Sequence, residues 1–196
     1  MILGFAGYAG SGKNEAARGL GWPTFAFADQ LRAMLLRLNP ILGETFKGDA
    51  IRLSALVDIS GWEDVKRGWP EVRRLLQELG MAARELVAAD VWLWPVQDEL
   101  DEIIYGTDAW KSYPPDYSLA QACVTDVRFP NEAKLIQRQF HGKLLWIERP
   151  GLEVSSHPTE HAITPDDCDD IIVNNGSIED LHAQVSEWVR FRQDNA

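Results

Sequence analysis

The sequence predicts an α/β fold built on a parallel, doubly wound sheet with helices on both faces. Three observations predict it: short runs that are apolar almost throughout, helical patterns alternating with them, and a glycine-rich turn directly after the first run. Strands buried on both faces of a parallel sheet read as continuous apolar runs, and five segments do so, at 1–6, 24–28, 120–125, 143–148 and 170–173. Helical periodicity falls at 13–20, 29–38, 69–88, 91–104, 131–140 and 177–192. The spacing is uneven. Residues 29–119 separate the second and third strand segments, far more than one crossover needs. The sequence therefore predicts a single domain with a core at 1–38 and 119–196. Its mainly helical insertion, at 39–118, is rich in tryptophan (Trp62, Trp69, Trp92, Trp94 and Trp110). Residues 105–118, with Gly, Lys, two Pro and aromatics in no period, read as a loop.

Composition bounds the partners. The 196 residues carry a formal net charge of −11, which repels nucleic acid polymers because their binding depends on neutralising phosphates with Lys and Arg. A small nucleotide is not excluded, since a few arginines in one cleft can hold a phosphate against an unfavourable net charge. No apolar run approaches the ~20 residues of a membrane span, so no membrane partner is expected. The N-terminal residues lack a basic region and run straight into the glycine turn, unlike a secretory signal. Two cysteines, Cys123 and Cys168, suggest a reducing compartment, hence a cytoplasmic location. The sequence leaves a homodimer open.

The turn is Gly7-Tyr-Ala-Gly10-Ser11-Gly12-Lys13-Asn14, which follows the first strand and opens a helix. It is the phosphate-loop pattern G-x-x-x-x-G-K without the final Ser or Thr. Its glycines let backbone N–H groups turn inward around a phosphate, and Lys13 reaches the β- and γ-phosphates of a nucleotide. Gly7, Gly10, Ser11, Gly12, Lys13 and Asn14 are thus the candidate ATP-binding residues, and the fold becomes a P-loop NTPase. At the last position a hydroxyl would meet Mg²⁺; Asn14 offers an amide oxygen instead. A second constellation ends the third strand segment: Thr125-Asp126-Val-Arg128-Phe-Pro-Asn131-Glu132. A carboxylate there can hold Mg²⁺, so Asp126 joins Asn14 as a candidate metal ligand, and Arg128 can stabilise charge on a phosphoryl group in transfer. The alternative makes Asp126 and Arg128 a structural ion pair. Asn131 reads as the cap of the next helix.

Taken in order, these segments resemble the deoxynucleoside monophosphate kinases of tailed phages and their bacterial relatives. The pieces are Gly7–Lys13, Phe27-Ala-Asp29-Gln-Leu31-Arg32, Leu76-Gln-Glu-Leu-Gly80 with Arg84-Glu85, Asp90-Val-Trp92, Thr125–Ala133, His157-x-x-Glu160-His161, and Asp170-Ile-Ile-Val-Asn174-Asn-Gly176-Ser. The resemblance implies a nucleoside-monophosphate-kinase-like fold, ATP with Mg²⁺, and conversion of deoxynucleoside monophosphates to diphosphates, in the host cytoplasm for a phage protein. The Ile-x-Asn-x-Gly-Ser segment also resembles dephospho-coenzyme A kinases, whose corresponding segment lies near the adenine. That similarity implies cofactor contacts at Asn174 and Gly176; a strand-to-helix turn is the plainer reading, and both can hold together.

Phosphoryl transfer between two anions needs cations on both. Lys13, Asp126 and Arg128 are the expected catalytic residues. Arg32, Arg84 and Arg149 are candidates for the acceptor phosphate or a closing lid, since a guanidinium binds phosphate bidentately. Asp29 is either a helix cap or a hydrogen-bond partner of the acceptor's sugar or base. Trp92 is either core or a stacking surface for the base. The His157-Pro-Thr-Glu160-His161 run matches a zinc-protease pattern, but Pro158 and Pro165 leave little room for the helix such a site needs. The run fits a lid over 149–168, with Glu160 a candidate substrate contact. Two other functions stay open: another small-molecule kinase, such as one acting on dephospho-coenzyme A, and a nucleotide-binding module without catalysis.

Overall fold

In the computed structural model the described residues are 1–106, 120–153 and 161–195, and they form two compact units. The first comprises Met1–Phe27 and Pro95–Ala196, the second Ala28–Trp94.

The first unit is built on five strands: β1 (Ile2–Ala6), β2 (Thr24–Phe25), β5 (Ala122–Val124), β6 (Lys143–Glu148) and β7 (Asp170–Val173). Their order across the sheet is β2-β5-β1-β6-β7, and every pairing is parallel. All five residues of β1 are buried, because this strand lies at the centre of the sheet with neighbours on both edges. Leu3 and Phe5 face one side, where they pack with Leu145 and Ile147 against Ala16 and Ala17 of α1 (Lys13–Arg18) and Leu181, Val185 and Val189 of α7 (Ile178–Asp194). Gly4 faces the other side. A Cβ there would stand 2.7 Å from Ile136 Cδ1 and 2.8 Å from Leu144 Cδ1, so the chain after α6 (Pro130–Lys134) packs directly onto the strand. That chain is a π-helical turn, Leu135–Gln139, where the sequence predicts a continued helix. Helices thus cover both faces, as the apolar character of the strands predicts.

A polar tie closes the amino-terminal edge of β6. Asp169 accepts hydrogen bonds from Lys143 Nζ at 2.8 Å, from the Leu144 N–H at 2.9 Å and from Gln137 Nε2 at 3.1 Å. Both cysteines are free; burial pushes each thiol up to about 12, so neither is reactive near neutrality.

The second unit contains α2 (Ala28–Leu38), a hairpin of β3 (Ile41–Glu44) and β4 (Ala50–Arg52), α3 (Leu53–Gly68) and α4 (Pro70–Leu86). It also holds the first residues of α5 (Leu93–Tyr105). Pro70 starts α4 where a missing N–H costs nothing, and Val72, Leu75, Leu76 and Leu79 lie on one face at helical spacing. With Leu35, Leu53 and Val65 they form a separate core. The hairpin is absent from the expected elements. Its strands are only four and three residues long, and Gly43 interrupts the first. Its tip is organised by Thr45, whose hydroxyl accepts from the N–H groups of Lys47 and Asp49. The Lys47-Gly48-Asp49 turn between two short apolar runs is the signal that points to it. Gly61, at φ 73, kinks α3 and hides its period from a sequence reading. Among the described residues, no helix is long and apolar enough to cross a membrane.

Candidate active site

The loops after β1, β5, β6 and β7 gather at the carboxyl ends of the parallel strands, where open α/β sheets place ligands. The loop after β1 is shaped by three glycines with positive φ: Gly7 (132°), Gly10 (83°) and Gly12 (106°). Two of them are also required by space. A Cβ on Gly7 would collide with the Ile147 carbonyl oxygen, and one on Gly12 would stand 2.5 Å from Asn174 Nδ2. The Ser11 N–H donates to the Tyr8 carbonyl at 3.1 Å and closes the turn. Lys13, 7% exposed, folds its ammonium over the loop, donating to the carbonyls of Gly7 at 2.5 Å and Tyr8 at 2.7 Å. Its Nζ also lies 3.5 Å from Ser11 Oγ. The sequence thus folds into a cradle of backbone amides with one buried cation on it, a donor set suited to a polyphosphate.

Four residues from elsewhere in the chain lie against the cradle. Asn174, just past β7, donates from Nδ2 to the Ser11 carbonyl at 2.8 Å. Arg149, just past β6, reaches the Gly10 carbonyl at 3.4 Å, which sets it at the phosphate loop. The Tyr8 ring meets Trp146 edge-on, with centroids 5.2 Å apart, and His161 lies 6.0 Å away at a tilt. The sequence reading missed the Tyr8–Trp146 contact, which alternation along β6 does not reveal. Gly176 lies in the turn before α7, where Ser177 and Asp180 cap the helix reciprocally: Ser177 Oγ accepts from the Asp180 N–H and Asp180 Oδ2 accepts from the Ser177 N–H.

After β5, the half-buried Asp126 accepts the Phe27 N–H on Oδ1 at 2.7 Å, joining the end of this strand to the chain beyond β2. The Arg128 backbone is fixed by Glu132, whose carboxylate accepts from the N–H groups of Arg128 at 2.7 Å and Phe129 at 3.0 Å. Glu132 is 2% exposed. The expected cap, Asn131, is corrected here: Phe129 occupies the N-cap and Asn131 lies inside the helix, where its Oδ1 accepts the Glu132 N–H at 3.1 Å, while Glu132 serves the Arg128 and Phe129 amides. Pro130 at the first helical position and Glu132 two residues later are the signal for this arrangement. Asn14 is exposed in the first turn of α1. Asn14 and Asp126 offer oxygen atoms only, the chemistry that Mg²⁺ prefers.

The other expected substrate contacts belong to the second unit. Asp29 lies in the first turn of α2, inside the helix, and pairs with Arg32 at 2.9 Å. Arg84 donates to the Ala89 carbonyl at 2.9 Å beyond the end of α4. Trp92 is 5% exposed and its indole N–H donates to the Gly80 carbonyl at 3.0 Å, a packed side chain with its polar atom satisfied. His157 and Glu160 lie outside the described residues. Among the described residues, no group of three or more His, Cys, Asp or Glu side chains could hold a metal ion.

Comparison with known proteins gives a family. Residues 62–185, more than half of the chain, match the family described as deoxynucleotide monophosphate kinase. No curated protein matches. Solved structures similar to the chain include shikimate kinase from Aquifex aeolicus, at 13% identity over 100% of both chains with a TM-score of 0.46. Another is dephospho-CoA kinase from Campylobacter jejuni, at 13% identity over 99% of this chain and 98% of that one, with a TM-score of 0.45.

Proposed function

The chain belongs to the deoxynucleotide monophosphate kinase family, and from that premise we propose that it transfers the γ-phosphoryl group of ATP to a deoxynucleoside 5′-monophosphate. The observation that carries this reading is the loop Gly7–Lys13, a backbone cradle with the buried Lys13 ammonium across it. Lys13 holds the donor phosphates by exchanging its bonds to the Gly7 and Tyr8 carbonyls for bonds to phosphate oxygens. Gly10 and Gly12 present N–H groups to the same oxygens, while the Ser11 N–H closes the turn on the Tyr8 carbonyl. Arg149, set at the Gly10 carbonyl, is assigned to the donor side. Mg²⁺ would neutralise charge on the donor phosphates, and Asp126 and Asn14, with water, would hold it.

Arg128 stabilises the charge that spreads over the phosphoryl oxygens in the transition state, which is where most catalysis of this transfer lies. The acceptor oxygen is already anionic near neutral pH, so no strong general base is required. The acceptor's own phosphate calls for further cations, and Arg32 and Arg84 of the second unit are assigned to it, with Asp29 at its sugar or base. Trp92 is assigned to packing of the second unit instead of stacking on the base, because its indole is enclosed and bonded. Gly176 and Ser177 set the turn that presents Asn174.

Release of ADP measured by a coupled assay tests the reading against deoxynucleoside monophosphates, ribonucleoside monophosphates and dephospho-coenzyme A. Deoxynucleotide-dependent ADP release is the expected result. Turnover on dephospho-coenzyme A alone would assign a different acceptor, and ATP binding without turnover on any substrate would leave a binding module.

A further inference from the structure

Asn174 lies one residue beyond β7, and its backbone N–H donates to the Glu148 carbonyl at 2.7 Å, so the end of β6 fixes its position. From that anchor its side-chain amide reaches the phosphate loop and donates to the Ser11 carbonyl at 2.8 Å. This oxygen belongs to the peptide unit joining Ser11 to Gly12. A trans peptide is planar and points its C=O and its N–H in opposite directions. Holding the Ser11 oxygen toward Asn174 therefore aims the Gly12 N–H away from it. Gly12 makes the approach possible, since a Cβ there would stand 2.5 Å from Nδ2. Ser11 is 1% exposed, so solvent has little access with which to replace the bond.

We infer that Asn174 is a positioning residue for the donor phosphates, acting through the Ser11–Gly12 peptide and not by touching the adenine. The inference rests on the proposed function and adds to it how one amide of the cradle is aimed. A rotation of this peptide would replace an N–H facing the phosphates by a carbonyl oxygen, exchanging attraction for repulsion. In Asn174→Ala the side-chain bond that opposes this rotation is lost, leaving only the backbone bonds on either side of the peptide. In Asn174→Asp a carboxylate faces the Ser11 carbonyl, two acceptors with no proton between them, and rotation relieves the clash.

The test is calorimetric titration of the wild type, Asn174→Ala and Asn174→Asp with ATP and with inorganic tripolyphosphate, which has phosphates but no base. Asn174→Ala is expected to weaken both ligands by about 5- to 10-fold, the worth of one hydrogen bond. Asn174→Asp should weaken both further, while KM for the deoxynucleotide stays within about twofold. A loss confined to ATP, with tripolyphosphate unchanged, would show that Asn174 reads the nucleoside and would overturn the inference. So would unchanged affinity for both ligands with a lowered melting temperature, the mark of a purely structural side chain. A wild type that binds neither ligand would sink the proposed function itself. A wild type that binds both with variants that bind equally well would sink this inference alone.

Discussion

Lys13 is the residue on which the proposed chemistry depends most directly. Its ammonium is nearly enclosed and donates to the Gly7 and Tyr8 carbonyls of the loop. Bonds to those carbonyls yield to a phosphate, because hydrogen bonds to charged acceptors are roughly twice as strong. Lys13→Ala should leave circular dichroism and cooperative melting intact and lower kcat by at least ~100-fold. Unchanged ATP-dependent turnover would mean that the loop does not hold the donor. Arg128 offers a second test at this scale. Arg128→Lys keeps the charge but loses the planar fork, and kcat should fall by about tenfold or more. Full activity in both Arg128→Lys and Arg128→Ala, with only the melting temperature reduced, would make Arg128 a structural residue.

The strands and helices around the site are held by a few polar ties whose loss can be read separately from catalysis. Asp169 is the clearest. Burial pushes its carboxyl up, but the bonds from Lys143, the Leu144 N–H and Gln137, with the Lys143 charge, outweigh burial and hold it below the usual carboxylate range. A group whose folded pKa is depressed stabilises the fold above its unfolded pKa, about 3.9 for Asp, and loses that stabilisation as pH falls through the folded value. Asp169→Asn should therefore cost about 1–2 kcal/mol at pH 7 in urea melts. The gap from wild type should narrow as the buffer is taken to about pH 3, below the unfolded pKa. A gap that is the same at both pH values would show that the charge of Asp169 is not what ties β6 to the segment before β7. Glu132 does comparable work after β5, where one carboxylate serves two amides and sets the backbone on which Arg128 is mounted.

At the scale of the molecule, an acidic protein must bind two anionic substrates. With a formal net charge of −11, long-range attraction does not collect them. Binding has to come from short-range contacts, the backbone cradle and individual arginines assigned to it in the proposed function. Phosphate contacts are indifferent to the base, so more than one deoxynucleoside monophosphate should be accepted. Rejection of ribose is expected from crowding at the 2′ position, which penalises the extra hydroxyl without added attraction for the deoxy sugar. Steady-state kcat/KM on paired ribo and deoxy substrates measures this, and equal efficiency for both sugars would remove the expected preference.

The sequence by itself determined the parallel sheet and the phosphate loop, and for physical reasons. Strands buried on both faces must be apolar throughout, and a backbone that wraps a phosphate must have glycine where φ is positive; both demands are local and leave a mark at fixed spacing. It also marked Asp126 and Arg128, because ligands collect at strand ends. Only the tertiary structure decided how these groups are oriented. The Asn174–Ser11 bond joins residues 163 positions apart, and the Asp126–Phe27 bond joins residues 99 apart, separations over which no pattern in the chain specifies a partner. Trp92 shows the same limit at shorter range. A tryptophan in a helical pattern is more often core than a stacking platform, and only the structure shows that its N–H goes to a carbonyl twelve residues away. The hairpin Ile41–Arg52 was hidden because strands this short carry too few residues to establish alternation, so its pairing rests on the turn at Thr45 to Asp49.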